Sequence, residues 1–324
     1  RVPMCMGDQP VPVGFVEATV PHSDETPHDD DTEYYQPVIS AEVGAIGAAG
    51  AVSVNMDAFA IGDVQAGQHF SVDNRLYRIV GVTNNGGGID ASGTGALTFT
   101  ATGSIAYTGT NARTFTLTGS NTGDNKLSGV LANNTGLTSL AKSAAGSWIV
   151  SGTNTYSGTT TISAGTLSVG TLANGGSNSN IGASSNAATN LVINGGTLKY
   201  TGAAVTTDRL FTVGANGATI DSSGTGALTF GNSGTLGTTA ATSPTLTLTG
   251  SANGILTPVF SNPATSGASA LTKSGTGTWT LTGNSTYTGI STISAGTLQV
   301  GNGSTTGSSG SGDVTNNGTL KFDL

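Results

Sequence analysis

Leu271–Gly301 reads LTKSGTGTWTLTGNSTYTGISTISAGTLQVG, and Leu140–Gly170 reads LAKSAAGSWIVSGTNTYSGTTTISAGTLSVG. The two stretches align without a gap, so that Trp148 corresponds to Trp279 and the same offset holds at every position between them. The chain therefore contains an internal repeat, and its fold has to accommodate that repeat twice.

The same offset relates segments well outside these two stretches. Ile89–Phe99 (IDASGTGALTF) matches Ile220–Phe230 (IDSSGTGALTF), and Thr114–Ser120 (TFTLTGS) matches Thr245–Ser251 (TLTLTGS). The repeated unit is therefore one long module, present twice.

A third copy begins near the end of the sequence. Val314–Phe322 (VTNNGTLKF) resembles Val192–Tyr200 (VINGGTLKY). Self-similarity at a fixed period is typical of stacked architectures, in which each unit buries its apolar face against the next unit.

Short runs of Thr, Val, Ile and Leu alternate inside the module with Gly, Ser and Asn. Period-two runs with such turn residues predict β-strands, and no helical period extends over ten residues. We therefore expect an all-β chain. Because equivalent GTL strands recur about every 20 to 30 residues, we expect a parallel β-helix with one coil per repeat. The predicted strands are Ser147–Val150, Thr160–Ile162, Thr166–Val169, Thr197–Tyr200, Leu210–Val213, Thr278–Leu281 and Thr297–Val300.

The pattern GxWxLxGxNTYxGxTTIxAGTLxVG resembles the autotransporter-associated β-strand repeat of bacterial passenger domains. Both core copies carry it almost completely, and related coils extend the resemblance over about residues 84–324. The resemblance implies a right-handed parallel β-helix (solenoid) exposed outside a cell or on a particle, and it implies no reaction.

The composition supports order without covalent crosslinks. Only 9% of the 324 residues are charged and 6% are aromatic, while 51 are glycine. Such a glycine content is also found in disordered chains, but the regular strand runs and the repeat favour an ordered fold. The single Cys5 cannot form an intrachain disulfide, so stacking has to stabilise the fold. We interpret Cys5 as unreactive.

Residues 1–42 are predicted to form an extended, acidic, proline-rich arm. This arm contains His22 and His28 beside Asp29–Asp31, a set that could ligate a metal ion. The spacing matches no defined ligand loop, so we favour a solvated acidic linker and expect no metal or cofactor. Docking of the acidic arm onto a basic surface of a partner is a further alternative.

Residues 43–83 are predicted to form a small β module, with strands at Val52–Met56, His69–Val72 and Tyr77–Val82. The segment is similar to short β modules of tailed-phage virion proteins. An N-terminal cap of the β-helix is the alternative, because Arg78–Val82 lies at the module offset from Arg209–Val213. The predicted domains are therefore residues 1–42, 43–83 and 84–324.

The charge is unevenly distributed along the chain. Of 18 acidic and 10 basic residues, 12 acidic and 3 basic ones lie in residues 1–83, and the rest of the chain is nearly neutral. This distribution lacks the basic patch that nucleic-acid binding needs.

Catalysis is not expected. Parallel β-helices include sugar-cleaving enzymes, which need clustered carboxylates, but residues 84–324 contain no His, Glu or Cys. Asp90 and Asp221 are the same position of the two copies, and an Asx-turn role explains them. Asp208 and Arg209 are neighbours on a predicted strand, so their side chains should point to opposite faces. All three histidines, including His69, lie before the repeats, so no catalytic triad is available.

The aromatic residues of the repeat have two possible roles. An exposed ladder of Trp148, Trp279, Tyr156 and Tyr287 could stack against sugar rings, whereas buried rings would stabilise the stack of coils. We favour the buried position because these residues recur at equivalent places in the motif.

Two non-enzymatic functions follow from these observations. In the first, which we favour, residues 1–83 bind capsid or tail proteins and the β-helix projects from a virion surface as decoration, cement or fibre, and adheres to host-surface glycans. In the second, the chain is an extracellular bacterial adhesin or autotransporter passenger stalk. A polysaccharide-active enzyme is a distant third. The acidic arm favours the first interpretation, together with the lack of a signal-like start or of the membrane strands of a translocator.

An open β-helix end exposes unpaired backbone groups and favours association. We therefore predict a homo-oligomer, a trimer by analogy with phage appendages. No stretch of 18 apolar residues is present, so no membrane insertion is expected.

Overall fold

The structure is a computed structural model that describes residues 86–106, 110–239, 243–303 and 306–324. Before them it describes the backbone of four strands, at 41–43, 51–56, 69–72 and 75–83. The predicted arm at residues 1–42 lies almost wholly outside this part, together with Cys5, His22, His28 and Asp29–Asp31.

Almost every regular element in the described residues is a short strand, apart from a single 3₁₀ turn at Ala188–Asn190. The strands are β1 Ala41–Val43, β2 Ala51–Met56, β3 His69–Val72, β4 Arg75–Thr83, β5 Gly86–Asp90, β6 Ala96–Phe99, β7 Arg113–Thr118, β8 Asn125–Leu127, β9 Thr138–Lys142, β10 Ser147–Val150, β11 Thr160–Ile162, β12 Thr166–Val169, β13 Leu191–Ile193, β14 Thr197–Tyr200, β15 Val205–Thr207, β16 Thr212–Val213, β17 Ala218–Ser222, β18 Leu228–Phe230, β19 Gly237–Thr238, β20 Thr245–Thr249, β21 Gly254–Leu256, β22 Ala270–Lys273, β23 Thr278–Leu281, β24 Asn284–Ser285, β25 Ser291–Ile293, β26 Thr297–Val300, β27 Ser308–Ser309, β28 Val314–Asn316 and β29 Thr319–Phe322.

Three sheets run along the stack of coils. The first sheet has the order β1-β2-β6-β8-β10-β12-β14-β17-β20-β22-β25-β28, the second β19-β16-β13-β11-β9-β7-β5-β4-β3, and the third β15-β18-β21-β23-β26-β29. Within each sheet, an interior strand pairs with the strand one coil earlier and with the strand one coil later. Among β5 to β29 the paired strands are parallel, as Trp148 beside Leu167 and Leu167 beside Leu198 illustrate. The prediction of an all-β parallel solenoid is confirmed.

Alternating burial explains why these short runs form strands. In β10 and β23 the burial alternates strictly, with Trp148 and Val150, or Trp279 and Leu281, facing the core. Parallel stacking places like residues over one another, so the apolar side chains form continuous ladders inside the coil. Each fully buried Leu or Ile contributes roughly 1.5–3 kcal/mol. The core therefore extends along the whole axis.

Coil length varies along the stack. In the first sheet, one coil leads from Trp148 to its partner Leu167, and the next coil leads from Leu167 to its partner Leu198. The second of these coils is more than one and a half times as long as the first. Both turns agree with the coil spacing expected from the recurring GTL strands. The predicted strand Leu210–Val213 is shorter than expected, since only Thr212 and Val213 pair with neighbouring strands.

The module does not span a whole number of coils. In the second sheet, Ile89 and the residues that follow it one coil at a time form five successive pairs. The residues after Ile89 are Leu117, Lys142, Ile162, Ile193 and Val213. The counterpart of Ile89 is Ile220, which lies further along the chain, in the first sheet. Each module therefore contains five full coils plus the part of a coil that leads from one sheet to the next. Equivalent residues of the two copies consequently face different directions around the axis.

The gapless alignment of the two tryptophan stretches conceals a local shift inside the module. Trp148 pairs with Asn125, whereas Trp279 pairs with Gly254, two positions before the Leu256 that the constant offset would place there. Val259, bridged to the preceding coil as Val130 is, also lies two positions earlier than the offset predicts. Compared with the first copy, the second copy therefore has two residues fewer in the loop before β21. It regains them in the loop before β22, since surface loops tolerate changes of length.

The N-terminal strands continue the sheets of the solenoid. β2 pairs in parallel with β6, placing Val52 beside Leu97, while β4 pairs antiparallel with β5, placing Ile79 beside Ile89. β1 and β3 add antiparallel partners at the outside. The predicted strands of residues 43–83 are thus present with slightly different limits. The domain limits at residues 42 and 83 stay predictions.

One backbone position differs between the copies in a testable way. Ala144 has φ 56°, and its counterpart Gly275 has φ 70°. The left-handed region costs a non-glycine residue about 1–2 kcal/mol, whereas glycine adds about 0.5–1 kcal/mol of unfolded-state entropy. We therefore expect Ala144→Gly to raise the free energy of unfolding by up to about 1 kcal/mol, measured by urea denaturation.

The reciprocal substitution is the matched control. A Cβ at Gly275 would lie 2.5 Å from the carbonyl oxygen of Gly250. Gly275→Ala should therefore lower the free energy of unfolding by about 1 kcal/mol or more, because strain and close contact add. Equal effects of the same sign from both substitutions would contradict this account.

Candidate functional site

The two tryptophans of the repeat are core residues. Trp148 and Trp279 are each 0% exposed. The indole Nε1 of Trp148 donates to the carbonyl oxygen of Thr118 at 2.9 Å, and that of Trp279 donates to Thr249 at 2.9 Å. Each acceptor lies one coil earlier, so the indole both fills the core and fastens two coils together. These rings are not available to stack on a sugar.

The two tyrosines are buried in the same manner. The hydroxyl of Tyr156 lies 2.7 Å from Thr160 Oγ1, and that of Tyr287 lies 2.7 Å from Ser291 Oγ. Burial raises the pKa of Tyr287 to about 12 and also raises that of Tyr156. Both phenols therefore remain protonated near neutral pH and act as hydrogen-bonding core residues.

The most unusual polar residues of the repeat are two lysines inside the stack. Lys142 and Lys273 are each 0% exposed. The Nζ of Lys142 donates to the carbonyl oxygens of Ser143, Ala144 and Ala164 at 2.7, 2.8 and 3.1 Å. Lys273 makes the equivalent three bonds at 2.6, 2.9 and 3.1 Å. Two acceptors lie directly after the lysine in its own coil, and the third lies in the following coil. Each ammonium group therefore links two adjacent coils.

Burial lowers the pKa of Lys142 from 10.5 to about 8, and it lowers that of Lys273 as well. A lysine whose folded pKa lies below its unfolded value makes the folded state less favourable at low pH. Between the folded and the unfolded pKa values the unfolded chain binds more protons, so the free energy of unfolding should rise with pH.

We therefore expect wild-type stability to rise between pH 8 and 10 relative to the Lys142→Met variant, which lacks this titration. The upper limit avoids the tyrosines, whose raised pKa values remove stability above about pH 10. Urea denaturation at four pH values measures the difference. A constant difference across this range would contradict burial of the ammonium group.

The paired aspartates of the two copies have local partners. Asp90 Oδ1 accepts a hydrogen bond from Ser92 Oγ, and Asp221 Oδ1 accepts one from Ser223 Oγ. Both bonds link a residue to the next but one, at the turn that follows the strand. The donor is the serine hydroxyl, whereas an Asx-turn uses the backbone N–H two residues on, so the expected Asx-turn role stays a prediction.

Asp208 and Arg209 hold one loop from two sides. The side chain of Asp208 accepts from the backbone N–H of Gly175 at 2.7 Å and from Asn186 Nδ2 at 3.1 Å. Arg209 is 2% exposed and donates to carbonyl oxygens of the same loop, including Ala173 at 2.9 Å and Gly182 at 2.9 Å. Asp208 is partly exposed and Arg209 is buried, but both residues follow the end of β15 and neither lies on a strand as expected. Sequence reasoning also missed their common binding of the loop at residues 170–190.

Buried amides were also missed by the sequence analysis. Asn125, Asn154 and Asn180 are 0–2% exposed and bond to backbone groups of neighbouring coils. Asn154, for example, accepts from the N–H of Leu131 at 2.7 Å and donates to the carbonyl oxygen of Asn180 at 2.6 Å. A signal was present, because asparagine is frequent at the turns of the motif, but the sequence does not distinguish buried from exposed amides.

The described surface offers little that could bind a metal ion. Across residues 86–324, apart from the three short gaps, no three His, Cys, Asp or Glu side chains come together. One shallow depression of about 110 Å³ is lined by uncharged residues, which are Gly195, Gly196, Asn216, Gly217, Ala218, Thr219, Thr245 and Thr247. The part of the chain that the structure describes has no helix long and apolar enough to cross a membrane.

These features define a class of protein, the parallel β-solenoid whose repeated motif supplies its core. Two segments, residues 140–169 and 271–300, match the family described as Passenger-associated-transport-repeat. The chain therefore carries two copies of this autotransporter passenger repeat. The resemblance inferred from the motif is confirmed, whereas the similarity of residues 43–83 to phage modules is not supported.

A longer relative is similar over most of the chain. The protein named Adhesin BmaC autotransporter, from Brucella suis biovar 1 (strain 1330), is 40% identical over 245 residues. This region covers 74% of the chain but 7% of that protein, so the chain spans a small fraction of its relative's length. No solved structure matches the chain.

Proposed function

We propose that this chain is a rod-forming segment of an adhesin-type passenger on the outer surface of a bacterium. The observation that carries the proposal is the 40% identity over 74% of the chain to a protein named as an autotransporter adhesin. The two passenger repeats at residues 140–169 and 271–300 point in the same direction.

The comparisons favour this second interpretation of the sequence over the first. The virion interpretation depended on the acidic arm and on a similarity of residues 43–83, and neither the matching family nor the adhesin relative is a virion protein. Binding of capsid or tail proteins through residues 1–83 belongs to the first interpretation and stays an untested prediction. The homotrimer stays a prediction that sedimentation can test.

The chemistry of the described residues supports a structural role and not an enzymatic one. The motif's indoles, phenols and ammonium groups are bonded inside the stack. Asp90, Asp208 and Asp221, the carboxylates weighed as catalytic candidates, bond to nearby loop and turn groups. A function in adhesion would use the outer surface of the rod, with host-surface glycans as the proposed class of ligand.

Immunogold electron microscopy of intact source cells tests the location. An antibody against the repeat should label the outer surface, and protease added to intact cells should remove the label. Labelling confined to virions or to the cell interior would contradict the proposal.

Adhesion is tested by displaying the full chain on a laboratory Gram-negative strain through a fused translocator. Cells that display the chain should bind glycan-coated surfaces more than cells that carry the translocator alone. Trp148→Ala is a useful control, because loss of display with loss of binding would link adhesion to the folded rod. Equal binding by both strains would oppose an adhesive function and leave only a spacer.

A further inference from the structure

An asparagine–glycine pair on the loop at residues 170–190 lies against Asp208. The backbone N–H of Gly175 donates to Asp208 Oδ1 at 2.7 Å. The backbone N–H of Asp208 donates in turn to Oδ1 of the Asn174 side chain at 2.9 Å. Asp208 therefore contacts two neighbouring groups of the loop, with its carboxylate at a backbone nitrogen and with its own N–H at a side-chain amide.

These two groups are the reacting partners of asparagine deamidation. In that reaction the backbone nitrogen of the following residue attacks the side-chain carbonyl carbon, Cγ, and closes a succinimide ring. The attacking nitrogen has to lose its proton, and negative charge develops on Oδ1. A base at the nitrogen and a hydrogen-bond donor at the oxygen therefore both favour the reaction.

The contacts at Asn174 supply both groups. Asp208 Oδ1 lies within the hydrogen-bond reach that a general base needs. The Asp208 N–H points to the oxygen on which charge develops. Asn186 Nδ2 donates to Asp208 Oδ2 at 3.1 Å and so helps to orient the carboxylate. The Asn174 side chain is exposed, so water reaches the ring once it forms.

The packing of the loop also explains why glycine follows this asparagine. A Cβ at Gly175 would lie 2.2 Å from the backbone nitrogen of Asn186, so no larger residue fits without a shift of the backbone. Because glycine has no side chain, nothing attached to its Cα hinders the approach of its nitrogen to Asn174 Cγ. The close contact that requires glycine therefore also leaves the nucleophile unhindered.

We propose that Asn174 is a site of self-catalysed deamidation, with the Gly175 nitrogen as nucleophile and Asp208 as general base. The nitrogen forms a bond to Cγ while its proton passes to the Asp208 carboxylate. The Cγ–Nδ2 bond then breaks, and Nδ2 takes this proton and leaves as ammonia. Solvent water opens the succinimide to aspartate or isoaspartate, so one water is consumed for each ammonia released.

The product weakens the attachment of the loop. Arg209 Nη2 donates to the backbone carbonyl oxygen of Asn174 at 3.4 Å. Isoaspartate at this position lengthens the backbone and places a second carboxylate close to that of Asp208. Both changes oppose the contacts that hold the loop, so deamidation is a slow and irreversible loosening of residues 170–190.

Asn194 and Gly195 form a matched control in the same chain. Asn194 Oδ1 also accepts a backbone N–H, that of Asn216, at 2.9 Å. The N–H of Gly195, however, donates to the carbonyl oxygen of Gly217 at 2.7 Å, and a backbone carbonyl is too weak a base to take the proton. The two sites share the donor at Oδ1 and differ in the base. They also differ in exposure, since Asn194 is partly buried.

Mass spectrometry of the full chain stored at neutral pH in heavy-oxygen water tests the proposal. Digestion with pepsin at acidic pH separates the two sites, and the incorporated oxygen marks each hydrolysed asparagine. General base catalysis contributes about 10²–10⁴-fold, so Asn174 should deamidate at least about tenfold faster than Asn194. Asp208→Asn removes only the base, and it should slow Asn174 at least about tenfold while leaving Asn194 unchanged.

Arg209→Met distinguishes catalysis from simple freedom of the loop. Loosening the loop moves Gly175 away from Asp208, so the rate at Asn174 should fall, whereas a rate set by exposure or flexibility would rise. Such a rise would overturn the proposal, as would an unchanged rate in Asp208→Asn or equal rates at Asn174 and Asn194 in the wild-type chain.

Denaturation in urea provides the last control. The rates at Asn174 and Asn194 should converge in the unfolded chain, because Asp208 then no longer contacts Gly175. A difference that persists in urea would show that the neighbouring sequence sets the rate, and it would contradict a role of the folded loop. None of these results bears on the bacterial surface location.

Discussion

Replacing Trp148 with alanine should lower the free energy of unfolding by about 3–5 kcal/mol, the range found when a buried tryptophan is removed. The indole is 0% exposed and lies between Asn125 and Leu167 in the first sheet. Its loss opens a cavity in the core that the coils enclose, and it removes the indole donor of the Thr118 carbonyl oxygen. Urea denaturation followed by circular dichroism measures the effect.

The second module supplies the matched control. Trp279→Ala should destabilise by a similar amount, because Trp279 is equally buried and donates to Thr249 at the same 2.9 Å distance. Stability in solenoids is a sum over repeats and their interfaces. Each substitution should therefore open its own module first, with hydrogen exchange increasing around the substituted residue.

Conservative variants separate packing from hydrogen bonding. Trp148→Phe keeps much of the ring volume but loses the indole N–H. The carbonyl oxygen of Thr118 still accepts from the backbone N–H of Ala91 at 3.0 Å, so the loss is that of one hydrogen bond, about 0.5–1.5 kcal/mol. The cost of Trp148→Phe should therefore lie below that of Trp148→Ala. A loss of less than about 1 kcal/mol for Trp148→Ala would show that the ring does not fill the core as described.

The features predicted from sequence depend on local pattern. Alternation around Trp148 and Trp279 identified strands with one buried face, and like spacing of the GTL strands indicated parallel coils. Burial of the aromatic residues followed from their recurrence in the motif. These inferences needed only neighbouring residues and a period, both of which the sequence displays directly.

The lysines show where local pattern fails. Lysine is almost never fully buried, so residue type alone does not indicate that Lys142 shares the buried face of β9 with Leu140. Its burial depends on the carbonyl oxygen of Ala164, which is distant in sequence and reaches Nζ only through the length of one coil. The same limit applies to the finding that equivalent strands of the two copies lie in different sheets. Coil lengths are set by the loops, and the loop sequences do not show at which residue one coil ends and the next begins.

Among the buried polar side chains, replacement of Arg209 should have the largest effect on local stability. Its guanidinium group donates to Ala173, Asn174, Ser177, Gly182 and Ser184 over distances of 2.9–3.4 Å. The charge is held by carbonyl dipoles of a single loop, and burial lowers its pKa. The loop belongs to the turn between Leu167 and Leu198, which is the longest step between paired strands of the first sheet from β6 onward.

Arg209→Met keeps most of the side-chain volume but removes every donor. Four of the five carbonyl oxygens, those of Ala173, Asn174, Gly182 and Ser184, keep another donor. The loss is therefore that of several charge-assisted hydrogen bonds, each contributing about 1.5–3 kcal/mol, and the total should reach at least ~3 kcal/mol. Because the carbonyls all lie in the loop, the loop can reduce this cost by detaching from the core. We therefore expect selective opening of residues 170–190, seen as faster hydrogen exchange and new protease cleavage there, while residues 271–300 stay protected.

Asp208→Asn provides the control on the adjacent residue. Asp208 is partly exposed and accepts only two bonds from the loop, from Gly175 and Asn186. Its substitution should cost about 1 kcal/mol and leave the loop attached, since Arg209 still donates from the core side. If Arg209→Met and Asp208→Asn open the loop equally, the loop is held by its outer surface and not by the buried guanidinium group.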